Sequence, residues 1–598
     1  MATKTAADNL CERLLEWGVD TIYGFPGDGI NGILGALRRC EDRLRFVQTR
    51  HEEMASFMAC GHAKFTGKVG VCMATSGPGA IHLLNGLYDA KLDHRPVVAI
   101  VGQTFVRAMG GDFQQEVNLL QLYSDVASAY FQQVNTPSAI RHNIDRAMRI
   151  AQAERTVTCV IVPADVQDMD AVEEQPKKTH TVHSGVGWWP PRIIPSSGQL
   201  QAAASILNAG ERVAVLVGQG ALEATDEVLA VADTLGAGVA KALLGKAVVP
   251  DDVPYVTGAI GLLGTKPSWT MMQEADTLLM VGSSFPYSEF LPTTGNAKAV
   301  QNDIAARNLS IRYPMDLALA GDAKDTLTEL LPLLKRKQDR SWQEKIIKAV
   351  ADWWRLMDDR GKPSDMHGRI RPQGLFSSLS RHLPDNAILS SDSGSAANWY
   401  ARQIKIRRGM KASLSGNLAT MVPGVPYAIA AKFAFPERVS VAMVGDGAMQ
   451  MGGMAEMLTA LKYYKTWSDP RLVVLVLNNE DLNQVTWEQR AMEGDPRFEA
   501  SQSIPYMPFA QYANLIGLKG IEVTSASQIE GAWEEAFAAD RPVIVDARTT
   551  PDEPPIPPHV TLEQAQALMK SVIAAPEAGW RGALEGFREM ATELLPGR

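Results

Sequence analysis

The sequence predicts an α/β protein of three consecutive α/β domains, each a parallel sheet flanked by helices. Three observations lead there. Short apolar runs rich in β-branched residues alternate with helical stretches along most of the chain, which is the pattern of parallel sheets. Glycine-rich turns follow several of these runs directly. The 598 residues exceed what one core fills, and two stretches of linker composition, 171–198 and 337–372, divide them into pieces of domain size.

In chain order, the first domain (1–180) carries the strand candidates RFVQT before Arg50, VGVCMAT before Ser76 and PVVAIVG after Arg95. EEQPKKTHTVHSG and WWPPRIIPSSG make the first linker. The central domain (196–336) has RVAVLVGQGA near its start and ends near LLPLLKRK. Residues 337–372 are charged and helix-like, closed by Pro372. The third domain (373–552) includes NAILSSDSG, RVSVAMVGDGA and RLVVLVLNN. A tail, 553–598, opens with DEPPIPP. No internal sequence repeat is visible.

Composition narrows the function class. Hydrophobic residues are 46% and charged residues 21%, a globular balance, and the net charge of -9 gives no footprint for nucleic acid. The five cysteines, Cys11, Cys40, Cys60, Cys72 and Cys159, contain no Cys-x-x-Cys pair, so reduced, buried thiols are expected. MATKTAADNL lacks the apolar core of a signal peptide, and no apolar run is long enough to cross a bilayer, so the expected compartment is cytoplasmic.

The chemistry concentrates in the third domain. RVSVAMV runs into Gly445-Asp446-Gly447, and Ala448 and Met449 open a helical stretch behind it. Glycines beside an acid let the backbone approach a ligand, the helix N-terminus favours phosphate oxygens, and the Asp446 carboxylate suits a hard cation such as Mg2+. A later strand candidate, RLVVLVL, ends in Asn478-Asn479. Ligands of parallel α/β sheets sit at the carboxyl ends of strands, so Asn479 and the carbonyl of Asp481 are candidates to join Asp446 on a metal. Gly-Asp-Gly alone is more often a tight turn after a strand; its pairing with Asn-Asn on a later strand is the specific signal.

At these residues the chain resembles the thiamine diphosphate enzymes, in which this split motif binds Mg2+ and the cofactor's diphosphate. The spacing between its halves is longer than the family's usual one, with the excess around Lys465-Thr-Trp-Ser-Asp-Pro470, a surface-loop composition. Ser393-Gly394-Ser395 resembles the family's second diphosphate-binding turn. Activating the cofactor's thiazolium C2 requires a carboxylic acid that engages the aminopyrimidine from an apolar pocket. Thr49-Arg50-His51-Glu52-Glu53 opens a helix after a strand candidate; a charged cluster there is usually only solvated, but by the resemblance Glu52 is the catalytic acid. Further matches are Gly24-Phe25-Pro26-Gly27 and Ser76-Gly77-Pro78-Gly79 on the pyrimidine side, Asn85 after them, and Phe113-Gln114 toward the substrate. Thr420-Met421 matches the position whose bulky residue props the cofactor bent, although a lone methionine is more often core packing. In this family the glutamate and the Gly-Asp-Gly lobe serving one cofactor come from different subunits, which implies a homodimer or homotetramer.

The resemblance spans nearly the whole chain and extends to the pyruvate oxidase and acetolactate synthase branch, most closely to bacterial pyruvate oxidases and quinone-linked pyruvate dehydrogenases. Gly282-Ser-Ser-Phe285-Pro286-Tyr287, Tyr313-Pro-Met-Asp316 leading to Gly321-Asp322, and the stretch from Ile556 to Ala565 carry it. It implies FAD in the central domain, with Gly218, Phe285, Pro286, Asp303 and Asp322 as candidate contacts; for each aspartate a helix cap or turn is an equal reading. GQGA is not a dinucleotide fingerprint, so a nicotinamide site has no support. Gln301-Asn302-Asp303-Ile304-Ala305-Ala306, Val422 and Ala430 depart from the branch's pattern and bear on FAD affinity and pocket volume.

The expected substrate is a small 2-keto acid. The first expectation is oxidative decarboxylation of pyruvate to acetate and CO2, with electrons passing by FAD to a quinone or other acceptor; the alternative is an acetolactate synthase-type carboligation. A non-oxidative decarboxylase is disfavoured because Val117-Asn118 stand where that family has paired histidines, and the intact Glu52, Asp446 and Asn479 argue against a silent homologue. Residues 576–595 read as an amphipathic helix with Trp580, Leu584, Phe587, Ala591 and Leu594 on one face. Its polar face is acidic (Glu577, Glu585, Glu589, Glu593), which favours packing on the enzyme's own body over peripheral membrane contact.

Overall fold

The computed structural model describes residues 4–172 and 180–555, together with Gln564, Gln566, Ala567, Lys570 and Ser571. The expected helix at 576–595 and, Gln564 apart, the stretch from Ile556 to Ala565 lie outside the described residues.

Three six-stranded sheets and one short hairpin form the frame. The first sheet takes β1 (Thr21–Gly24), β2 (Arg45–Gln48), β3 (Gly70–Ala74), β4 (Val97–Gln103), β5 (Phe131–Gln133) and β6 (Val157–Pro163) in the order β2-β1-β3-β4-β6-β5, with every pair parallel. The second takes β7 (Val213–Val217), β8 (Gly238–Lys241), β9 (Val256–Ala259), β10 (Thr277–Val281), β11 (Lys298–Asp303) and β12 (Leu317–Ala320) in the order β12-β11-β10-β7-β8-β9, again parallel throughout. A hairpin of β13 (Asp365–Met366) and β14 (Arg369–Ile370) follows. The third sheet takes β15 (Ile388–Ser391), β16 (Lys411–Leu414), β17 (Ser440–Gly445), β18 (Leu472–Asn478), β19 (Lys519–Val523) and β20 (Val543–Arg548) in the order β16-β15-β17-β18-β20-β19. Central strands such as β4, β6 and β18 are buried along their whole length, which is why their sequences read as unbroken apolar runs instead of alternating ones.

Counted within each sheet, the first and third share one order, second-first-third-fourth-sixth-fifth, although the sequence shows no repeat. The second sheet has the doubly wound dinucleotide order, reversing between β7 and β10. No helix among the described residues is long and apolar enough to cross a membrane. All five cysteines are buried free thiols.

The chain divides into two compact units, one of 1–190, 414–442 and 448–472, the other of 191–413, 443–447 and 473–598. In the first unit, the helix Glu52–Thr66 is buried along nearly all of its length and packs on the helices Leu84–Leu92 and Gly424–Ala434. A Cβ at Gly61 would come within 2.9 Å of the Tyr427 ring, so glycine permits this close crossing. Lys64, wholly buried near the end of the helix, donates to Asp93 at 2.7 Å and to the Leu414 carbonyl at 2.6 Å, and lies 3.8 Å from Asp89. Burial would lower its pKa, but Asp89 and Asp93 hold it above the ordinary lysine value. Asp93 in turn accepts the backbone N–H groups of Gly416 and Asn417 at 2.9 and 2.8 Å, so the segment leading to Thr420 and Met421 is pinned to this buried ion pair.

The loop expected around 465–470 is only partly a surface loop. Trp467 is buried, its ring 5.8 Å from that of Phe433, and Asp469 pairs with Arg471 at 2.6 Å. The extra residues thus contribute a side chain to the core. Behind Gly447 the helical stretch includes a π-turn, Met449–Gly453, before the α-helix Met454–Tyr463.

Lys64→Met would remove the ammonium that Asp93 accepts from and that lies beside Asp89, and removing one partner of a buried pair costs about 3–5 kcal/mol. Urea unfolding followed by circular dichroism should show that loss; a change under about 1 kcal/mol would mean that the pair contributes no more than a surface bridge.

Candidate active site

The candidate residues fall into three clusters. In the first unit, Glu52 is the first residue of its helix, with His51 as N-cap accepting the Glu53 N–H at Nδ1 (3.3 Å). Its carboxylate is buried, and Oε2 lies 3.0 Å from His82 Nδ1. A Cβ at Gly79 would sit 3.1 Å from Oε1, so that glycine leaves room beside the carboxylate. His51 and His82 stack with centroids 4.3 Å apart, and potential ligand atoms of His51, Glu52 and His82 lie within 4.8 Å of one another. Both Nδ1 atoms already have partners, so the trio needs no ion to explain it.

Around this carboxylate, Gly24 and Gly27 are glycines of close approach. A Cβ would meet the Met73 carbonyl oxygen at 2.7 Å in the one case and Thr75 at 2.5 Å in the other. Pro26 between them is half-buried. Gly77 has φ +60°, and Pro78 opens the short helix that carries His82. His82 was not singled out from sequence; its place four residues after Pro78 was the available signal. Ser76 Oγ donates at 2.8 Å to Gln115 Oε1, and Gln115, not Gln114, is the residue that reaches this turn. Phe113, expected on the substrate side, is 51% exposed and Gln114 is exposed beside it, so within this chain neither joins Glu52. Asn85 donates to Glu53 Oε1 at 2.5 Å and to Thr420 Oγ1 at 3.3 Å. Met421 is half-buried, and Val422 after it has φ +90°, a conformation costly for a β-branched residue. The valine found where glycine is common therefore keeps the glycine backbone.

In the second unit, Asp446 is 2% exposed at the end of β17. Its Oδ2 accepts the N–H groups of Asn479 and Glu480 at 2.8 and 2.6 Å, and Oδ1 accepts that of Gly447 at 2.9 Å. The ends of β17 and β18 are thus joined through one carboxylate. Burial pushes its pKa up to about 7, against the lowering effect of the three amides, and Asp481 adds repulsion. Asn479 Oδ1 accepts the Asp481 N–H at 3.1 Å and keeps a second lone pair. The Asp481 carboxylate is committed to Thr486 (2.9 Å), Asn483 (3.1 Å) and Arg497 (3.0 Å), which leaves its carbonyl, already accepting the Asn483 N–H at 2.7 Å, as the ligand candidate.

This donor set is all oxygen and includes a buried carboxylate held, among the described residues, by amide dipoles, which fits a hard cation. Gly394, after β15, and Gly445 face open space: a Cβ on either would meet nothing within 4 Å. Ser393 precedes that glycine, and Ser395 opens the nine-residue helix Ser395–Gln403. These turns have the space and the donors that a diphosphate needs. Ala448 and Met449 are buried, Met449 completely, and present no side chain to solvent.

In the central domain, Gly218 and Gly220 have a reason internal to the fold. A Cβ on Gly218 would meet the Gly282 carbonyl oxygen at 2.4 Å, and one on Gly220 would meet the Gly282 Cα at 2.7 Å, so the two switch-point turns pack backbone to backbone. Asp303 ends β11 and accepts the Ala305 N–H at 2.8 Å, and Asp322 caps the helix Ala323–Leu330 by accepting the Asp325 N–H at 3.1 Å. Both aspartates make the local bonds of the cap-or-turn reading. Phe285 is buried and Pro286 exposed. The unexpected Asn302 ties β11 to the Gly321 carbonyl (3.0 Å) and Thr326 (3.3 Å). A dinucleotide fits the sheet order better than it fits these side chains.

Three family models match in the same order as the sheets: the thiamine pyrophosphate enzyme N-terminal TPP binding domain at residues 4–122, the central domain at 200–330 and the C-terminal TPP binding domain at 392–547. A Bacillus subtilis (strain 168) protein named "Putative thiamine pyrophosphate-containing protein YdaP" is 36% identical over 573 residues, 96% of each chain. The chain belongs to the thiamine pyrophosphate enzyme family. It is also similar to the pyruvate oxidase of Lactiplantibacillus plantarum, 30% identical over 91% of this chain and 88% of the relative. A "Probable acetolactate synthase large subunit" of Methanocaldococcus jannaschii is likewise 30% identical, over 92% of this chain and 93% of the relative. In this thiamine pyrophosphate (thiamine diphosphate) enzyme, Glu52 falls within the N-terminal match and Asp446 and Asn479 within the C-terminal one.

Glu456 supports the Glu52 cluster from below. It is fully buried and accepts the Arg50 N–H at 2.7 Å. Burial raises its pKa to about 7, more than the Arg50 amide lowers it. A folded-state pKa above the unfolded one means that stability is present at low pH and lost as pH rises through about 7. Glu456→Gln should therefore match the parent near pH 4 and exceed it near pH 8 by on the order of 1–3 kcal/mol. Thermal midpoints measured across that range check this, and a pH-independent difference would contradict it.

Proposed function

We propose that this thiamine pyrophosphate enzyme decarboxylates pyruvate, or a similar small 2-keto acid, oxidatively. Pyruvate and water give acetate, CO2, two protons and two electrons, the electrons leaving by FAD to an acceptor such as a quinone. The observation that carries the decarboxylase part is Glu52: a carboxylate buried at a helix start, with a glycine leaving space at one oxygen and a histidine on the other.

When bound, the thiazolium ring supplies the carbon that adds to the keto group and holds the electron pair left by CO2. The chain's own residues do the rest. Glu52 would hold and share a proton at the pyrimidine N1′, oriented by His82. Asp446, Asn479 and the Asp481 carbonyl would hold Mg2+. The turns at Ser393–Ser395 and Gly445–Gly447 would hold the diphosphate, and Met421 would fix the cofactor's bend. By the family resemblance, the two ends of one cofactor are held by different chains, so the working form is a homodimer or homotetramer.

A carboligase of the acetolactate synthase type is the second reading. The acetolactate synthase relative supports it at the same identity as the pyruvate oxidase one supports the first reading, and the local hydrogen bonds of Asp303 and Asp322 leave those side chains less free for FAD.

Purified protein mixed anaerobically with pyruvate separates these. Flavin absorption that bleaches with pyruvate is the expected result; colourless protein whose product yields acetoin after acid treatment would replace the oxidase with the carboligase. In either case Glu52→Gln should lower turnover at least about 100-fold while thiamine diphosphate still binds, and unchanged turnover would remove Glu52 from its role.

A further inference from the structure

Glu480 lies between the metal candidates Asn479 and Asp481, and its backbone is in the left-handed region at φ +61°. That conformation is unfavourable for a residue with a Cβ and is the ordinary territory of glycine. Here it has a consequence. It lets the consecutive N–H groups of Asn479 and Glu480 converge on Asp446 Oδ2, at 2.8 and 2.6 Å, as backbone amides do in an anion-holding nest.

The Glu480 side chain opposes relaxation of this turn. Its Oε1 accepts from Arg369 Nη2 at 2.9 Å and from Arg548 Nη2 at 2.8 Å. The fold brings the two arginines together: Ile370, next to Arg369, bridges Thr549, next to Arg548, and Arg548 stands in register with Asn478. Arg548 is further fixed 3.9 Å above the Tyr506 ring, and Arg369 Nη1 reaches the Asn479 carbonyl at 3.4 Å. The three charged side chains are 22–32% exposed, so solvent screening keeps their contribution to global stability small. What they fix is local.

We propose that Glu480 is a positioning residue of the metal–diphosphate site, and that the Arg369–Glu480–Arg548 clamp holds the strained turn that aims Asp446. This rests on the function proposed above, because it assigns Asp446 to a cation. The role is conformational, so glycine at 480 should replace clamp and glutamate together, whereas alanine should keep the strain and lose the clamp.

The test is a Mg2+ titration of the full-length protein saturated with thiamine diphosphate, followed by tryptophan fluorescence, with thermal midpoints in parallel. Glu480→Ala should raise the half-saturating Mg2+ concentration about tenfold, or about 1.4 kcal/mol, with little change in thermal midpoint. Glu480→Gly should return it to within about threefold of the parent. Arg548→Met, which leaves the turn sequence intact, should weaken Mg2+ uptake in the same direction and serves if the alanine variant does not fold. Parent-like affinity in Glu480→Ala, or a glycine variant as weak as the alanine one, would overturn the positioning role. A parent protein that takes up neither thiamine diphosphate nor Mg2+ would instead overturn the proposed function, and the positioning role with it.

Discussion

The carboxylate of Asp446 is buried, and among the described residues its hydrogen bonds run to backbone N–H groups. That constraint shapes the second unit. Strands β17 and β18 must be neighbours and end together, so that amides from one reach the acid on the other. Residue 480 must enter the left-handed region. Dipoles can hold a buried carboxylate, but burial pushes its pKa up to about 7 against the lowering effect of the three amides. A cation would complete the arrangement, which is why the site is proposed as a metal site and not as a buried turn.

Glu52 answers the opposite need. In the proposed role it would present a proton to a ring, and its surroundings are a histidine, a glycine gap and a helix start instead of a nest of amides. The first and third sheets share one strand order, and the candidate residues recur after equivalent strands: Gly24–Gly27 and Ser393–Ser395 after the first, Ser76–Pro78 and Gly445–Gly447 after the third. In each sheet those two strands are neighbours at the point where the order reverses, the position where parallel sheets bind ligands. In the proposed function, one set of turns would serve the pyrimidine and the other the diphosphate. The proposed site brings together the first set from one chain and the second from another.

Much of this was legible in the sequence because it is written in local signals. Strands β4, β7 and β18 appear as apolar runs, and Asp446 and Asn479 stand out because a glycine-flanked acid and an amide pair end two such runs. What was illegible depends on long-range contacts or on single dihedrals. Gln115, not Gln114, reaches Ser76, because one residue of register in an irregular loop is set by tertiary contacts. Trp467 is buried although its neighbours have loop composition, because Phe433 from a distant segment receives it. Asp322 looks the same in sequence whether or not it caps a helix, and it accepts the Asp325 amide as a cap. The positive φ of Val422 and Glu480 is invisible because neither residue type advertises it.

The central claim is that Glu52 of one chain and Asp446 of another serve a single cofactor, and subunit complementation tests it most directly. Glu52→Gln and Asp446→Asn chains carrying different affinity tags, each inactive alone, would be allowed to exchange subunits, and the hybrid would be isolated through both tags. One of the two sites in such a hybrid would have neither substitution, so the account predicts about half of the parent's turnover per hybrid dimer. A verified hybrid without activity would contradict it.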